Sequence, residues 1–138
     1  MEKAREILLM EGFTCVLRRG DTIYTAAERG VKPLVRWLTE GVDVRGFSAA
    51  DKVVGRATAY LYVLLGVKEV WAAVMSEAAA EVLIRHGILA SQDKLVKNII
   101  NRAGTGICPF EEAVLNIQTP EEALAAIRSK MAQMNIIL

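Results

Sequence analysis

Histidine occurs once in these 138 residues, at His86, and cysteine twice, at Cys15 and Cys108. Two lone cysteines make no disulfide framework, so a reduced, cytoplasmic protein is expected. Neither sign of charge dominates, with 17 Lys and Arg against 16 Asp and Glu. That balance lacks the electrostatic footprint of a duplex nucleic-acid binder, and none is expected as a partner. No apolar run approaches the ~20 residues that span a bilayer. The longest, from Ala57 to Val67, reads as a buried helix, and no membrane association is expected. The N-terminal stretch lacks a signal-peptide core and reads as a short amphipathic helix. Repeats, low-complexity segments and linkers are missing too, which implies one domain over 1–138. What is plentiful is apolar surface. Hydrophobic residues make up 53% of the chain, ample for a core and slightly high for a solitary monomer, so a homodimer is expected.

Along the chain, glycine and proline punctuate a clear pattern. The first helix ends at Gly12. Phe13 to Arg19 alternates as a strand, Gly20-Asp21 forms a two-residue type II′ turn, and Thr22 to Thr25 returns. Pro33 opens a helix that Gly41 closes. Ser48-Ala49-Ala50-Asp51 has the spacing of a capping box and predicts a buried helix from there to Gly66. Val70 to Met75 reads as a central strand, Ser76 as the cap of a helix over 77–86, and Ile88 to Val96 as a further strand. Thr119-Pro120-Glu121-Glu122 starts the last helix. Leu115-Asn116-Ile117 fits either a helix end or a short edge strand. A hairpin followed by β-α-β units implies a mixed sheet covered on both faces, a three-layer α/β/α sandwich.

The stretch Asn101-Arg102-Ala103-Gly104-Thr105-Gly106-Ile107-Cys108-Pro109 is the best candidate site. Its glycines free the backbone, and Pro109 with Glu111 and Glu112 starts a helix. Such a loop can turn several N–H groups toward an anion. It is not a dinucleotide fingerprint, which needs a third glycine directly after a strand, nor a triphosphate-binding loop, which ends in Gly-Lys-Ser/Thr.

Together with Ala50-Asp51-Lys52-Val53-Val54-Gly55, this segment resembles a family of small prokaryotic proteins of unknown function that looks like the cytidine deaminase fold without its zinc motifs. The resemblance covers nearly the whole chain. A zinc deaminase needs His-x-Glu or Cys-x-Glu at one helix start and Pro-Cys-x-x-Cys at the next. Here those places look to be taken by Ala50-Asp51-Lys52-Val53 and Met75-Ser76-Glu77-Ala78-Ala79. Three nitrogen or sulfur ligands cannot be assembled from this inventory, so no metal and no cofactor are expected.

The candidate ligand-binding residues are therefore Asp51, Lys52, Ser76, Asn101, Arg102, Gly104, Thr105, Gly106 and Cys108. Asp51 could meet a ribose hydroxyl, and Lys52 and Arg102 a phosphate. Each also has a plain structural reading: Asp51 and Ser76 as caps, and Asn101 and Thr105 as loop residues that satisfy backbone groups. Cys108 at a helix start is either a small buried thiol or an activated nucleophile, although no imidazole stands near it in sequence. Three functions follow: a metal-free domain that binds a nucleotide or ribose-phosphate, a Cys108-dependent enzyme or redox-sensitive protein, or a regulatory interaction dimer.

Overall fold

The computed structural model describes residues 1–28, 30–101 and 103–138. Helix α1 (Glu2–Glu11) precedes the hairpin β1 (Cys15–Arg19) and β2 (Thr22–Ala26). Then come α2 (Lys32–Glu40), β3 (Ser48–Val54), α3 (Arg56–Leu65), β4 (Glu69–Ser76), α4 (Glu77–Arg85) and β5 (Leu89–Val96). The chain finishes with α5 (Pro109–Ala113) and α6 (Pro120–Gln133). The strands form one mixed sheet in the order β2-β1-β3-β4-β5. β1 is antiparallel to both β2 and β3, whereas β3, β4 and β5 run parallel.

Most local signals act as their chemistry dictates. Gly20 has φ +60° and Asp21 is not in the left-handed region, which is the pattern of a type II′ turn. Gly12, Gly41 and Gly66 end their helices in left-handed backbone. Ser76 and Thr119 each cap a helix through the hydroxyl, accepting from the amides of Ala79 and Glu122. Leu115 and Ile117 donate back to Glu112 and Val114 as turns, so that segment ends a helix and forms no strand.

One expectation fails. Ser48-Ala49-Ala50-Asp51 does not cap a helix; it is the first half of β3, and the helix starts at Arg56. The capping-box spacing is local, and burial overrides it. β3 sits between β1 and β4 with Ala49 and Ala50 wholly buried on opposite faces. A strand in that position satisfies its backbone on both sides, a gain that exceeds the small intrinsic preference of alanine for helix.

The two faces of the sheet carry unequal loads. Val16, Ala50 and Trp71 lie side by side in register and pack under Ala4 and Leu8 of α1. The opposite face holds the main core, with Leu17, Ala49 and Val70 against α2, α3 and α4. α3 is buried almost all round, through Ala57, Ala59, Tyr60, Leu61 and Tyr62, because α5 and α6 pack on its outer side. No helix among the described residues is long and apolar enough to cross a membrane.

Candidate functional site

The parallel strands all end at one edge. Val54 pairs with Met75 and Ser76 with Val96, so β3, β4 and β5 deliver α3, α4 and the 97–108 segment to the same side. In open α/β sheets this is where ligands bind, since helix N-termini point their N–H groups there.

Here the α3 N-terminus already holds an anion. Glu111, from α5, places one carboxylate oxygen 2.7 Å from the Arg56 amide and the other 2.8 Å from the Ala57 amide. Both orphan donors are thus satisfied by a single charged group, in the field of the helix dipole. Gly55 makes room for it: a Cβ there would lie 2.5 Å from the Glu111 carboxyl carbon. Gly55 itself is extended, at φ −98° and ψ −178°, so its lack of a side chain serves the close approach and not the backbone angle. The neighbouring α4 N-terminus is closed by the buried Ser76 hydroxyl, 3.1 Å from the Ala79 amide.

Beneath this edge, two arginines meet at the Tyr60 hydroxyl. Arg56 and Arg85 each donate to it at 3.2 Å, and the hydroxyl donates to the Ile117 carbonyl at 2.8 Å. Arg56 also reaches the Ile117 carbonyl, and Arg85 the Gln118 carbonyl. The α5–α6 connection is thereby tied to α3 and α4.

Asp51 lies elsewhere. It is buried inside the main core, where Tyr62 donates to its carboxylate at 2.6 Å and the Cys15 sulfur lies 3.0 Å from the Tyr62 oxygen. Tyr62 has one proton and gives it to Asp51, so the Cys15 thiol must donate in turn. Burial raises the Asp51 carboxyl to about 6, against the pull of the Tyr62 hydroxyl and the Val53 and Lys52 amides. Burial and the nearby Asp51 push the Cys15 thiol well above its usual range. Lys52 is exposed on the strand.

The Asn101–Cys108 loop closes on itself. Asn101 donates its amide to the Gly106 carbonyl at 2.8 Å, and its side-chain oxygen accepts from the Thr105 amide at 3.1 Å. Gly104 takes φ +70° at the tip, and Ile100 bridges to Ile107. Asn101 and Thr105 therefore satisfy loop backbone, their plain structural role, while Gly104, Thr105 and Gly106 remain exposed. Arg102 falls outside the described residues. Cys108 is the half-buried N-cap of α5 and makes no side-chain cap bond. His86 is at the far end of α4, about 14 Å of helix away from the strand-end edge, with its Nδ1 against the Val82 carbonyl.

The structure thus brings Ser76 and the Asn101–Cys108 loop to one edge of the sheet and leaves Asp51 in the interior. Arg56, Tyr60, Arg85 and Glu111, which tie this edge together, were not among the sequence candidates. Glu111 had a legible clue. It stands three residues after the N-cap, where a capping-box glutamate would fold back, but Cys108 offers no hydroxyl to complete that box. With α3 beginning at Arg56, Ala50-Asp51-Lys52-Val53 lies within β3 and is not a helix start. Among the described residues no three His, Cys, Asp or Glu side chains cluster as metal ligands would. Two shallow surface depressions, of about 350 and 310 Å³, lie between α5 and α6 and beside the C-terminal ends of α2 and α3.

Residues 3–131 match the family model of TM1506, a domain of unknown function (DUF1893). The chain belongs to the DUF1893 family. The crystal structure of a DUF1893 family protein, TM1506, from Thermotoga maritima is similar to it, with a TM-score of 0.86 and 26% sequence identity. That match covers 94% of this chain and 88% of the Thermotoga protein. No curated protein matches the chain. As a DUF1893 member it shares a mixed α/β fold with that protein.

Proposed function

We propose that this DUF1893 protein is a metal-free domain with a three-layer, cytidine-deaminase-like arrangement that binds a nucleotide or other ribose-phosphate at its strand-end edge. One observation carries the reading: the α3 N-terminus takes a carboxylate on two adjacent backbone amides, at 2.7 and 2.8 Å. A phosphate oxygen pair has the charge and spacing to accept the same two donors, and Glu111 then acts as the internal anion that a ligand replaces. The neighbouring loop supports this reading with the exposed Gly104, Thr105 and Gly106, which have backbone amides to offer. Arg102 is proposed from the sequence as the charged partner of the phosphate.

The test is a titration of nucleoside monophosphates and diphosphates into the full chain, wild type and Glu111→Ala, followed by amide chemical shifts. Removing the internal competitor should tighten binding by about tenfold or more, with the Arg56 and Ala57 amides shifting most. Failure of both proteins to bind any of the panel at millimolar concentration would overturn the reading. Binding that leaves those two amides unmoved would also overturn it.

A further inference from the structure

We propose that Cys15, Tyr62 and Asp51 form a buried proton switch, in which one proton taken up by the Asp51 carboxylate reverses both hydrogen bonds of the chain and leaves the Cys15 thiol without an acceptor. The three groups come from three elements. Cys15 of β1 and Asp51 of β3 are register partners on neighbouring strands, and Tyr62 reaches both from α3. All three are buried. Water does not complete their bonding, so what one group donates another must accept.

The two carboxylate oxygens of Asp51 are not equivalent. Oδ1 lies 3.3 Å from the Val53 amide, which can only donate. Oδ2 lies 2.6 Å from the Tyr62 oxygen. While Asp51 is ionised, the chain runs from thiol to phenol to carboxylate. A proton added to the carboxyl goes to Oδ2, the oxygen that does not face an N–H. Only one hydrogen fits between two oxygens at that separation, so Tyr62 must now accept. Its own hydrogen turns to the Cys15 sulfur, 3.0 Å away. Among the described residues the sulfur has no other partner, so the thiol hydrogen is released. The reversal needs only O–H and S–H rotations, and no backbone atom moves.

The surroundings set the range in which the switch works. The titratable groups facing Asp51 are Cys15 from β1 and Tyr62 from α3. Its register partner on β4, Ala72, offers none. Burial and the charge of Asp51 hold the thiol and the phenol well above their usual ranges, so neither ionises near neutrality. Asp51 alone changes state there, its carboxyl raised by burial to about 6. Below that value the chain runs from carboxyl to phenol to sulfur, and above it the direction is opposite. Nothing in this inference depends on the ligand-binding reading.

Infrared spectroscopy of the full chain carrying Cys108→Ser, so that Cys15 is its one thiol, tests the switch between about pH 4.5 and 7.5. The S–H stretch absorbs where other protein groups do not, and donating a hydrogen bond lowers its frequency. The band should move to higher frequency as pH falls, with the same midpoint as the rise of the Asp51 carboxyl C=O band. Adding Asp51→Asn should hold the band fixed at every pH. Adding Tyr62→Phe keeps the carboxyl and the thiol but removes the link between them. The S–H band should then ignore pH while the carboxyl still titrates, whereas a direct effect of the Asp51 charge on the thiol would survive. If Tyr62→Phe does not fold, the shift in the Cys108→Ser protein and its loss with Asp51→Asn decide the matter. A band that does not move with the carboxyl, or a shift that persists in either added variant, would overturn the proposal.

Discussion

Asp51 is the residue whose chemistry the interior changes most. Burial lifts its carboxyl to about 6, whereas in the unfolded chain it ionises near 3.9. Between those values the folded protein holds a proton that the unfolded chain has released. The stability contributed by this group is therefore complete below about pH 4, falls as pH rises toward 6, and is flat above that. The separation between the two ionisations is worth roughly 3 kcal/mol. Asp51→Asn keeps an oxygen for the Tyr62 hydroxyl and removes the titration. Urea unfolding of both proteins from pH 4 to 7 should show wild type losing ground to the variant by that order across the window. Glu28, Asp43 and Glu69 have lowered pKa values and act in the opposite direction, but they are common to both proteins and cancel in the comparison. Parallel stability curves would mean that the carboxyl titrates normally.

Between elements, the decisive contact is Glu111 on the start of α3. Glu111→Ala strands two amides and should cost about 1–3 kcal/mol. Gly55→Ala should cost a similar amount for the same reason, because its Cβ evicts the carboxylate that lies 2.5 Å away. With Glu111 already gone, the added methyl meets no carboxylate. The double variant should then be no less stable than either single one, a strongly non-additive cycle that denaturant melts can read. Additive losses would show that the glycine and the glutamate act separately. This contact also marks the limit of what sequence reveals about elements. The helix ends at Gly12, Gly41 and Gly66, the caps at Ser76 and Thr119, and the Gly20-Asp21 turn were legible because their signals lie within a few residues. β3 was not legible, since Ser48 to Asp51 satisfies a local helix rule and becomes a strand only through partners at positions 15–18 and 69–75. The site followed the same division. Ser76 and the Asn101–Cys108 loop could be placed from sequence, but Glu111 meets Arg56 across 55 positions of chain, and no spacing rule reaches that far.

At the scale of the molecule, the sheet divides the chain into a large core and a small one. The large core unites β1, β3 and β4 with α2 to α6, and its members hold one another across long sequence separations. The small one consists of Ala4, Leu8, Val16, Ala50 and Trp71, with Arg5 stacked 4.4 Å over the Trp71 ring. Of the α1 side chains, only Ala4 and Leu8 are fully buried, with Ile7 and Arg5 packed at the margin of this small cluster. A helix anchored so lightly should open by itself, below the free energy of global unfolding. Leu8→Ala removes most of its apolar anchor, which in a core position costs about 2–5 kcal/mol. If α1 were part of the global cooperative unit, the whole chain would feel that loss. If it opens locally, amide exchange in α1 should accelerate several-fold or more while the amides of α3 and β4 keep nearly their wild-type protection. Hydrogen exchange followed residue by residue separates the two cases, and equal acceleration in α1, α3 and β4 would show that the two faces of the sheet unfold as one.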